Sequence, residues 1–263
     1  MLETTSNNSG AKFAGKVVIV TGGSGGIGEA AARAFADQGA GMVVIADVQD
    51  DLGNKVAESI GTNKCTYKHC NVADEEQVQN LIQSTVNNYG QINIMFSNAG
   101  ISSELEQTIL ELNITDLNRL FAVNASGMAA CVKHAARAMV EKHVRGSIVC
   151  TGSIYGSNGG SDGTDYAMSK HALLGLVRSA SIQLAEHGIR VNCVSPNALV
   201  TPMTLKYSGS EEKVYELCAN TARLKGVILT AKHIADAVLF LASNDSEFIT
   251  GHDLVVDGSY IAP

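Results

Sequence analysis

The stretch Lys16-Val17-Val18-Ile19-Val20-Thr21-Gly22-Gly23-Ser24-Gly25-Gly26-Ile27-Gly28 decides the fold class. It opens with the short apolar run of a buried strand, and the residues from Ile27 to Gln38 have the periodicity of a helix. The glycine-rich loop between them suits a backbone that turns with positive φ or passes close to a ligand. Because the first N–H groups of a helix attract anions, this strand, loop and helix predict a pyrophosphate site. The alternative for a glycine cluster alone is an ordinary turn.

Short apolar runs alternate with longer amphipathic stretches along the rest of the chain. The predicted strands are 42–46, 65–69, 92–96, 147–150, 190–194 and 253–256, and the predicted helices are 51–59, 75–88, 124–142, 165–187 and 231–241. This alternation predicts an α/β fold, a doubly wound parallel sheet with helices on both faces, in one domain over residues 12–263. Residues 201–226 interrupt it without a clear strand and are predicted to form an irregular substrate lid.

The composition is that of a globular chain with a well-buried core. Of its 263 residues, 45% are hydrophobic and 17% are charged, and the formal net charge is −7. This charge disfavours nucleic acid and anionic membranes as partners, and no apolar stretch resembles a transmembrane span. The polar residues 1–11 lack an apolar signal core and are predicted to be a disordered leader.

The cysteine and histidine patterns argue against disulfide and metal sites. The six cysteines include no C-x-x-C pair and mostly lie in apolar runs, which indicates reduced thiols and a cytoplasmic protein. The seven histidines are scattered without the spacing of metal ligands. We therefore predict no metal site.

Asp47 closes the second predicted strand, nineteen residues after Gly28. An acidic side chain at this distance from a glycine-rich loop accepts hydrogen bonds from the adenosine ribose hydroxyls of a dinucleotide. A carboxylate there repels a 2′-phosphate, and the loop contains no basic residue to offset it. We therefore expect NAD rather than NADP, with an exposed loop aspartate as the alternative.

Tyr166 and Lys170 are four positions apart, which places them on one face of a helix, one turn from each other. A cationic ammonium group beside a phenol favours the phenolate, so this tyrosine can exchange a proton with an alcohol or a carbonyl. Ser153 lies thirteen residues upstream, after an apolar run typical of a strand. Taken alone, the tyrosine and lysine pair also fits an exposed helix face.

Several motifs, in order, resemble the short-chain dehydrogenase/reductase superfamily over residues 12–258. They are Thr21-Gly22 with Gly26-Ile27-Gly28, Asn98-Ala99-Gly100, Asn124, Ser153, Tyr166 with Lys170, and residues 196–201. The resemblance implies a single-domain Rossmann fold that binds a nicotinamide cofactor and assembles as a homotetramer.

The resemblance also implies which residues bind NAD. They are Gly22, Ser24, Gly26, Ile27 and Gly28 in the glycine loop, Asp47 at the ribose, Asn71 and Val72 at the adenine, Asn98, Ala99 and Gly100 beside the cofactor, Thr201 at the carboxamide, and Tyr166 with Lys170. The family usually has aspartate where this chain has Asn71, whose amide offers both a donor and an acceptor. For residues 98–100 the alternative is a structural turn.

The same resemblance assigns a catalytic tetrad of Asn124, Ser153, Tyr166 and Lys170. Tyr166 is the general acid/base, and Lys170 assists it and holds the nicotinamide ribose. Ser153 hydrogen-bonds the substrate oxygen. Asn124 supports a water that links Lys170 to solvent, or alternatively kinks or caps a helix.

The segment between Ser153 and Tyr166 is rich in glycine and polar residues, and it is predicted to form a pocket wall opposite the lid. Gly152 allows the backbone to approach a bound oxygen. Tyr155 projects towards the substrate or packs beneath the loop, and Met203 opens the lid. The apolar residues of the lid favour a small hydrophobic substrate.

Residues 96–101, 133–139 and 251–258 resemble a plant branch of the superfamily that includes secoisolariciresinol, isopiperitenol and borneol dehydrogenases and nepetalactol-related enzymes. This resemblance implies an NAD-dependent enzyme of monoterpenoid (iridoid) metabolism that oxidises a terpenoid alcohol or lactol. A redox-neutral cyclase that keeps NAD bound is the first alternative, and a non-catalytic NAD-binding protein is the second. The presence of Ser153, Tyr166 and Lys170 argues against the second.

Overall fold

Seven parallel strands form a single sheet in the computed structural model, which describes residues 11–103 and 106–261. Residues 1–10 of the predicted leader lie outside the described residues. The strands are β1 (Val17–Thr21), β2 (Met42–Asp47), β3 (Cys65–His69), β4 (Ile94–Ser97), β5 (Ser147–Thr151), β6 (Arg190–Pro196) and β7 (Asp253–Val256), in the order β3-β2-β1-β4-β5-β6-β7. Each neighbouring pair is parallel, as the alternation of elements predicts.

Helices cover both faces of this sheet. They are α1 (Gly26–Asp37), α2 (Asp50–Ile60), α3 (Glu75–Tyr89), α4 (Ile114–Phe121), α5 (Met128–Glu141), α6 (Thr164–Leu184), α7 (Pro202–Ser208), α8 (Glu211–Thr221) and α9 (Ala231–Ala242). One buried core packs α3, α5 and α6 against the sheet, and the other packs α1, α2 and α9. Ile19 of β1 belongs to the first core and its neighbours Val18 and Val20 to the second, because successive strand residues point to opposite faces. The predicted doubly wound α/β fold is confirmed.

The strand order reverses between β1 and β4. The chain runs from β1 outward to β3, then returns to β4 and continues outward to β7. In such sheets, ligands bind outside the carboxyl ends of the strands at the point of reversal. The loops that follow β1, β4, β5 and β6 leave the sheet at this edge, and they contain Gly22, residues 98–100, Ser153 and Thr201 of the predicted site.

The helical stretch predicted at residues 124–142 begins ten residues earlier in the structure, at Ile114. The predicted helix 124–142 is preceded by α4 and by a π-helical segment, Ala122–Gly127, which together run continuously into α5. Asn113 caps α4 by accepting hydrogen bonds from the N–H groups of Thr115 and Asp116, at 2.9 and 3.1 Å. Leu120 is the buried residue of α4, and Ile114 is 61% exposed. Leu117 and Leu120 do follow Ile114 at helical spacing, but α4 has only eight residues, which is too short for periodicity to identify it securely.

The predicted lid, residues 201–226, is helical rather than irregular. It contains α7 and α8, whose first turns are capped by the side chains of Thr201 and Ser210. Thr201 is followed by Pro202 at the first helical position, which is a helix-start signal. Its apolar residues do not all face inward: Val214 is buried, whereas Leu224 is 62% exposed.

The six cysteines are free and buried, as predicted. Burial raises the pKa of the Cys131 thiol to about 12, so this thiol stays protonated at neutral pH. Among the described residues, no helix has the length and apolar character needed to cross a membrane. The same part of the chain contains no group of three potential metal-binding side chains.

Gly28 offers a test of how tightly the first loop is packed. A Cβ atom at this position would lie 2.0 Å from the carbonyl oxygen of Gly22 and 2.8 Å from Nδ2 of Asn98. We expect Gly28→Ala to lower the free energy of unfolding by roughly 1–3 kcal/mol, because this backbone contact has no room for a methyl group. Urea unfolding followed by circular dichroism measures the change.

Gly175 is the matched control, since it also lies inside a helix but a Cβ there would meet nothing within 4 Å. We expect Gly175→Ala to be neutral or to stabilise the protein by up to about 1 kcal/mol. Equal stability of Gly28→Ala and the wild type would contradict the packing interpretation.

Candidate active site

The glycine loop has the geometry of an anion site. Gly22 and Gly26 adopt φ angles of 65° and 55°, in the left-handed region that favours glycine. No side chain caps the start of α1, so the N–H groups of its first turn remain free to bind an anion. Ser24 Oγ is buried without a hydrogen-bond partner among the described residues. These features fit the pyrophosphate of a dinucleotide.

Asp47 is fixed beside this loop by the main chain. One carboxylate oxygen accepts a hydrogen bond from Ser24 N–H at 3.1 Å, and the other accepts from Val48 and Gln49 N–H at 2.8 and 3.2 Å. The side chain is 9% exposed at the carboxyl end of β2. Its charge is therefore held where a Rossmann fold binds the adenosine ribose.

The loop after β3 contains the residues assigned to adenine. Val72 is buried, and its main-chain oxygen lies 2.8 Å from the position that a Cβ of Gly127 would occupy. Asn71 is exposed, and its Oδ1 accepts a hydrogen bond from Ala73 N–H at 3.1 Å. The side chain of Asn71 thus stabilises the turn and retains its Nδ2 donor group.

Residues 98–100 join three strands together at the reversal point. Thr21 Oγ1 accepts hydrogen bonds from Asn98 N–H at 2.9 Å and from Ala99 N–H at 3.1 Å. Asn98 Oδ1 accepts a hydrogen bond from Thr151 Oγ1–H at 2.9 Å. The structural-turn interpretation therefore holds for Asn98. Sequence reasoning did not find the contribution of Thr151, because it depends on strand pairing between β4 and β5.

Lys170 is buried beside Tyr166 on α6. Only 3% of Lys170 is exposed, and its Nζ donates a hydrogen bond to the Thr151 carbonyl oxygen at 2.9 Å. This nitrogen lies 5.4 Å from the centroid of the Tyr166 ring. A Cβ at Gly100 would lie 3.9 Å from it, so the lysine also faces the loop that follows β4. The structure brings the predicted tyrosine and lysine together.

Tyr155 packs against Tyr166, and Ser153 is hydrogen-bonded to the main chain of Tyr155. The Tyr155 and Tyr166 rings meet edge to face, with centroids 6.0 Å apart. Ser153 Oγ accepts a hydrogen bond from Tyr155 N–H at 3.2 Å and keeps its own hydroxyl hydrogen for a substrate oxygen. Burial raises the pKa of Tyr155. A Cβ at Gly160 would lie 2.5 Å from the Tyr155 ring, so this ring also packs beneath the glycine-rich loop.

Asn124 lies in the π-helical segment and is fully buried. Its Oδ1 accepts a hydrogen bond from Ile101 N–H at 2.9 Å, and its Nδ2 donates to Ile101 O at 2.9 Å and to Ser169 Oγ at 3.3 Å. Both amide hydrogens are therefore used within the protein. The helix-kink interpretation agrees with this π-helical position, and the amide donors are not free to hold a water.

Gly152 has a packing role that the sequence analysis did not foresee. Its N–H donates a hydrogen bond to the Val194 carbonyl oxygen at 2.8 Å. A Cβ at Gly152 would lie 2.5 Å from Ser195 Oγ and 2.6 Å from Cys193 Sγ. The glycine is thus required by close packing against β6, and its N–H is already used, which corrects the expectation that this position leaves the backbone open to a bound oxygen.

Thr201 stands against the glycine loop. Its Cβ lies 3.3 Å from the position that a Cβ of Gly26 would occupy. Its Oγ1 accepts a hydrogen bond from Thr204 N–H at 3.2 Å and so caps α7. The structure therefore places Thr201 next to the predicted cofactor site while showing a structural role for its hydroxyl group.

A cavity of about 650 Å³ opens beside the end of β4. It is lined by Gly100, Ile101, Ser102, Ser103, Glu106, Arg119, Met203, Lys206 and Tyr207. Met203 lines the cavity as predicted. Lys206, from the same predicted lid, also lines it, so the lid contributes a charged side chain as well as the expected apolar ones. Ser153, Tyr155 and Tyr166 do not line it. Gly100 does line it, and a Cβ at Gly100 would lie 3.9 Å from Lys170 Nζ.

Tyr207 connects the lid to the glycine-rich wall. Its hydroxyl group donates a hydrogen bond to Asp162 Oδ2 at 2.8 Å. This bond to a carboxylate raises the pKa of Tyr207 to about 12, so the phenol stays protonated at neutral pH. The contact joins α7, in the predicted lid, to the loop that precedes α6, in the predicted pocket wall.

Comparisons with known proteins agree with this geometry. A family model described as Enoyl-(Acyl carrier protein) reductase matches residues 22–260. The chain is 53% identical to (+)-cis,trans-nepetalactol synthase NEPS1 of Nepeta racemosa, with 95% of this chain and 92% of that protein covered. It is also 53% identical to the mitochondrial (-)-isopiperitenol/(-)-carveol dehydrogenase of Mentha piperita, with 94% of each chain covered.

Further relatives have the family in their names. Short-chain dehydrogenase reductase 3b of Arabidopsis thaliana is 48% identical, with 96% of this chain and 98% of that protein covered. The crystal structure of a short-chain type dehydrogenase/reductase from Mycobacterium marinum superposes with a TM-score of 0.88, at 32% identity, over 96% of this chain and 98% of that one. The chain therefore belongs to the short-chain dehydrogenase/reductase family.

Proposed function

We propose that this protein is an NAD-dependent dehydrogenase that oxidises a monoterpenoid alcohol or lactol. The observation that carries the proposal is the placement of Lys170 against the Tyr166 ring and the carboxyl end of β5, where its Nζ binds Thr151 O. Ser153 follows that strand by two residues. The proposed substrate class rests on the 53% identity to relatives named as a nepetalactol synthase and an isopiperitenol/carveol dehydrogenase. The partly charged cavity wall suits an oxygenated terpenoid better than a hydrocarbon.

Tyr166 acts as the general base in the oxidation. Its phenol oxygen takes the hydroxyl proton of the substrate, and the ammonium group of Lys170 lies 5.4 Å from the centroid of its ring. Ser153 donates its hydroxyl hydrogen to the substrate oxygen and orients the reacting carbon. NAD, when bound, supplies the hydride acceptor. In the reverse direction, Tyr166 returns the proton to the carbonyl oxygen.

We propose that NAD is held along the edge of the sheet from β3 to β6. The residues that we assign to it are Gly22, Ser24, Gly26, Ile27, Gly28, Asp47, Asn71, Val72, Asn98, Ala99, Gly100, Tyr166, Lys170 and Thr201. The uncapped start of α1 and the fixed carboxylate of Asp47 support this assignment. The amide hydrogens of Asn71 support the proposed adenine end of the NAD site. The remaining hydrogens of Lys170 Nζ support the nicotinamide ribose end.

Redox-neutral cyclisation is the second candidate function. Two relatives at 53% identity are named (+)-cis,trans-nepetalactol synthases. The Ser153 hydroxyl group can stabilise negative charge on an enolate-like oxygen whether or not a hydride moves. The bound NAD would then serve as part of the pocket and remain unchanged.

The reaction can be identified with a panel of alcohols and lactols, an iridoid enol and one variant. We expect the wild type to form NADH from at least one member of a panel of monoterpenoid alcohols and lactols. We expect Tyr166→Phe to lower kcat by roughly a hundredfold or more, because the ring remains but the acid/base is lost. Absorbance of NADH follows the reaction, and calorimetry tests that the variant still binds NAD.

An iridoid enol generated in situ, with NAD present, distinguishes the two candidates. A changed ratio of nepetalactol stereoisomers without NADH formation would support the cyclase instead of the dehydrogenase. If neither the product ratio nor NADH changes with any substrate, the monoterpenoid assignment is wrong. Unchanged oxidation by Tyr166→Phe would place the proton route elsewhere.

Cofactor preference tests the role of Asp47. We expect NAD to bind at least about tenfold more tightly than NADP, because the carboxylate repels a 2′-phosphate. Asp47→Asn removes the charge with little change of shape. We expect this variant to reduce the ratio of NAD affinity to NADP affinity. Asp37→Asn, at the exposed end of α1, is the control for a general loss of negative charge. Equal or tighter binding of NADP by the wild type would contradict the assignment.

We also propose that the protein is a homotetramer built on α5, α6 and the carboxyl-terminal strand. Support comes from a groove of about 420 Å³ between α5 and α6, lined by Val132, Ala136, Leu176 and Leu184 among others. We expect a tetramer by light scattering and a smaller species for Leu176→Glu. Leu52→Glu, on the exposed side of α2, is the control and is expected to leave the mass unchanged. A monomeric wild type at micromolar concentration would reject the proposal.

The cytoplasm is the proposed compartment. Its support is that all six cysteines are free and buried, which suits a reducing environment. The mint relative is named as a mitochondrial protein, so the mitochondrion is the alternative.

A further inference from the structure

A short wall segment, Ile101 to Ser103, follows the end of β4 and lines the cavity. It is fixed at both ends by side chains that lie far away in the sequence. Asn124 binds the N–H and the carbonyl oxygen of Ile101, each at 2.9 Å. At the other end, Ser103 Oγ donates a hydrogen bond to Asp165 Oδ1 at 2.6 Å. The wall of the cavity is therefore attached to α6.

Asp165 connects this wall to Tyr166. The same atom, Asp165 Oδ1, also accepts a hydrogen bond from the Tyr166 N–H at 2.7 Å. Asp165 lies in the first turn of α6, where main-chain N–H groups have no acceptor within the helix. A single carboxylate oxygen thus links the cavity wall at Ser103 to the first turn of α6 at the main chain of Tyr166.

The burial of Asp165 has a cost that its bonds do not fully offset. The residue is 0% exposed, and Oδ2 is buried without a hydrogen-bond partner among the described residues. A buried polar atom without a partner lowers stability, and burying a charge costs more. Stability alone would favour an apolar or fully paired side chain here. Residues that lower stability in this way are expected at functional sites.

We propose that Asp165 is a positioning residue, which holds the substrate-side wall at Ser103 and the Tyr166 main chain in one fixed arrangement. The proposal rests on the proposed function, in which Tyr166 is the general base. Asp165 is not assigned any contact with substrate or cofactor. It acts through Tyr166, whose phenol oxygen must meet the substrate hydroxyl group, and through Ser103, which shapes the cavity.

The two bonds of Oδ1 predict different kinetic effects. Losing the bond to Tyr166 N–H displaces the base and lowers kcat, whereas losing the bond to Ser103 loosens the wall and raises KM. Asp165→Ala removes both bonds and Ser103→Ala removes one. Asp165→Asn keeps an acceptor oxygen of the same shape at Oδ1 and therefore keeps both.

The kinetic test compares these three variants with the wild type on the alcohol that it oxidises best. For Asp165→Ala we expect kcat to fall about tenfold or more and KM to rise. For Ser103→Ala we expect KM to rise severalfold while kcat stays within about twofold. For Asp165→Asn we expect both constants within about threefold of the wild type. Asp37→Ala, at an exposed carboxylate, is the control and is expected to match the wild type.

Two outcomes would overturn the proposal. In one, Asp165→Ala keeps kcat within about twofold of the wild type. In the other, Asp165→Asn is as impaired as Asp165→Ala, which would show that the charge matters and not the shared acceptor. If Asp165→Ala does not fold, as judged by circular dichroism, Ser103→Ala decides: a KM raised severalfold supports the proposal, and an unchanged KM overturns it.

Hydrogen–deuterium exchange tests the same proposal without any turnover. We expect Asp165→Ala to speed exchange in peptides that cover Tyr166 and residues 101–103, and Asp165→Asn to restore the wild-type rate. Equal acceleration in all peptides would indicate general destabilisation and overturn the positioning role. If the wild type oxidises none of the alcohols, the proposed function fails, whereas the exchange result still decides the role of Asp165.

Discussion

A chain of hydrogen bonds across three strand ends connects the cofactor side of the site to its chemical side. Thr21 Oγ1 accepts from the main chain of Asn98, Asn98 Oδ1 accepts from Thr151 Oγ1–H, and the Thr151 carbonyl oxygen accepts from Lys170 Nζ. Each link is 2.9 Å long and buried or partly buried at the reversal point of the sheet. In such surroundings these bonds are strong, and leaving one partner unpaired is costly. The position of the lysine thus depends on the pairing of β1, β4 and β5.

Much of this arrangement was predictable because it is local in the sequence. The inner strands are short apolar runs that are buried on both faces, and all seven strand predictions differ from the structure by no more than two residues at either end. The spacing of Tyr166 and Lys170 predicts a shared helix face, and the glycine loop between a strand and a helix predicts an anion site. These features follow from periodicity and backbone conformation, which a single sequence contains.

The rest depends on contacts between distant positions. Ser103 and Asp165 are separated by 62 residues, and neither has a distinctive spacing. Gly152 looked like a residue that opens space for a ligand, but it is packed against Cys193 and Ser195 of β6. Helix α4 was missed because its eight residues are too few for a clear periodic pattern. The charged lining of the cavity comes from segments that are distant in the sequence and meet only in the fold.

The π-helical segment Ala122–Gly127 also limits how this region can evolve. An α-helix advances about 100° per residue, so removing or adding one residue rotates everything beyond it by that angle. Here the wider turn places Asn124 against Ile101 while α5 keeps its buried face on the sheet. A one-residue deletion between α4 and α5 would restore regular α-helical turns. It would also rotate either Asn124 away from Ile101 or the buried face of α5 away from the sheet. This helix can therefore accept substitutions, whereas a change of one residue in its length would lose one of these two contacts.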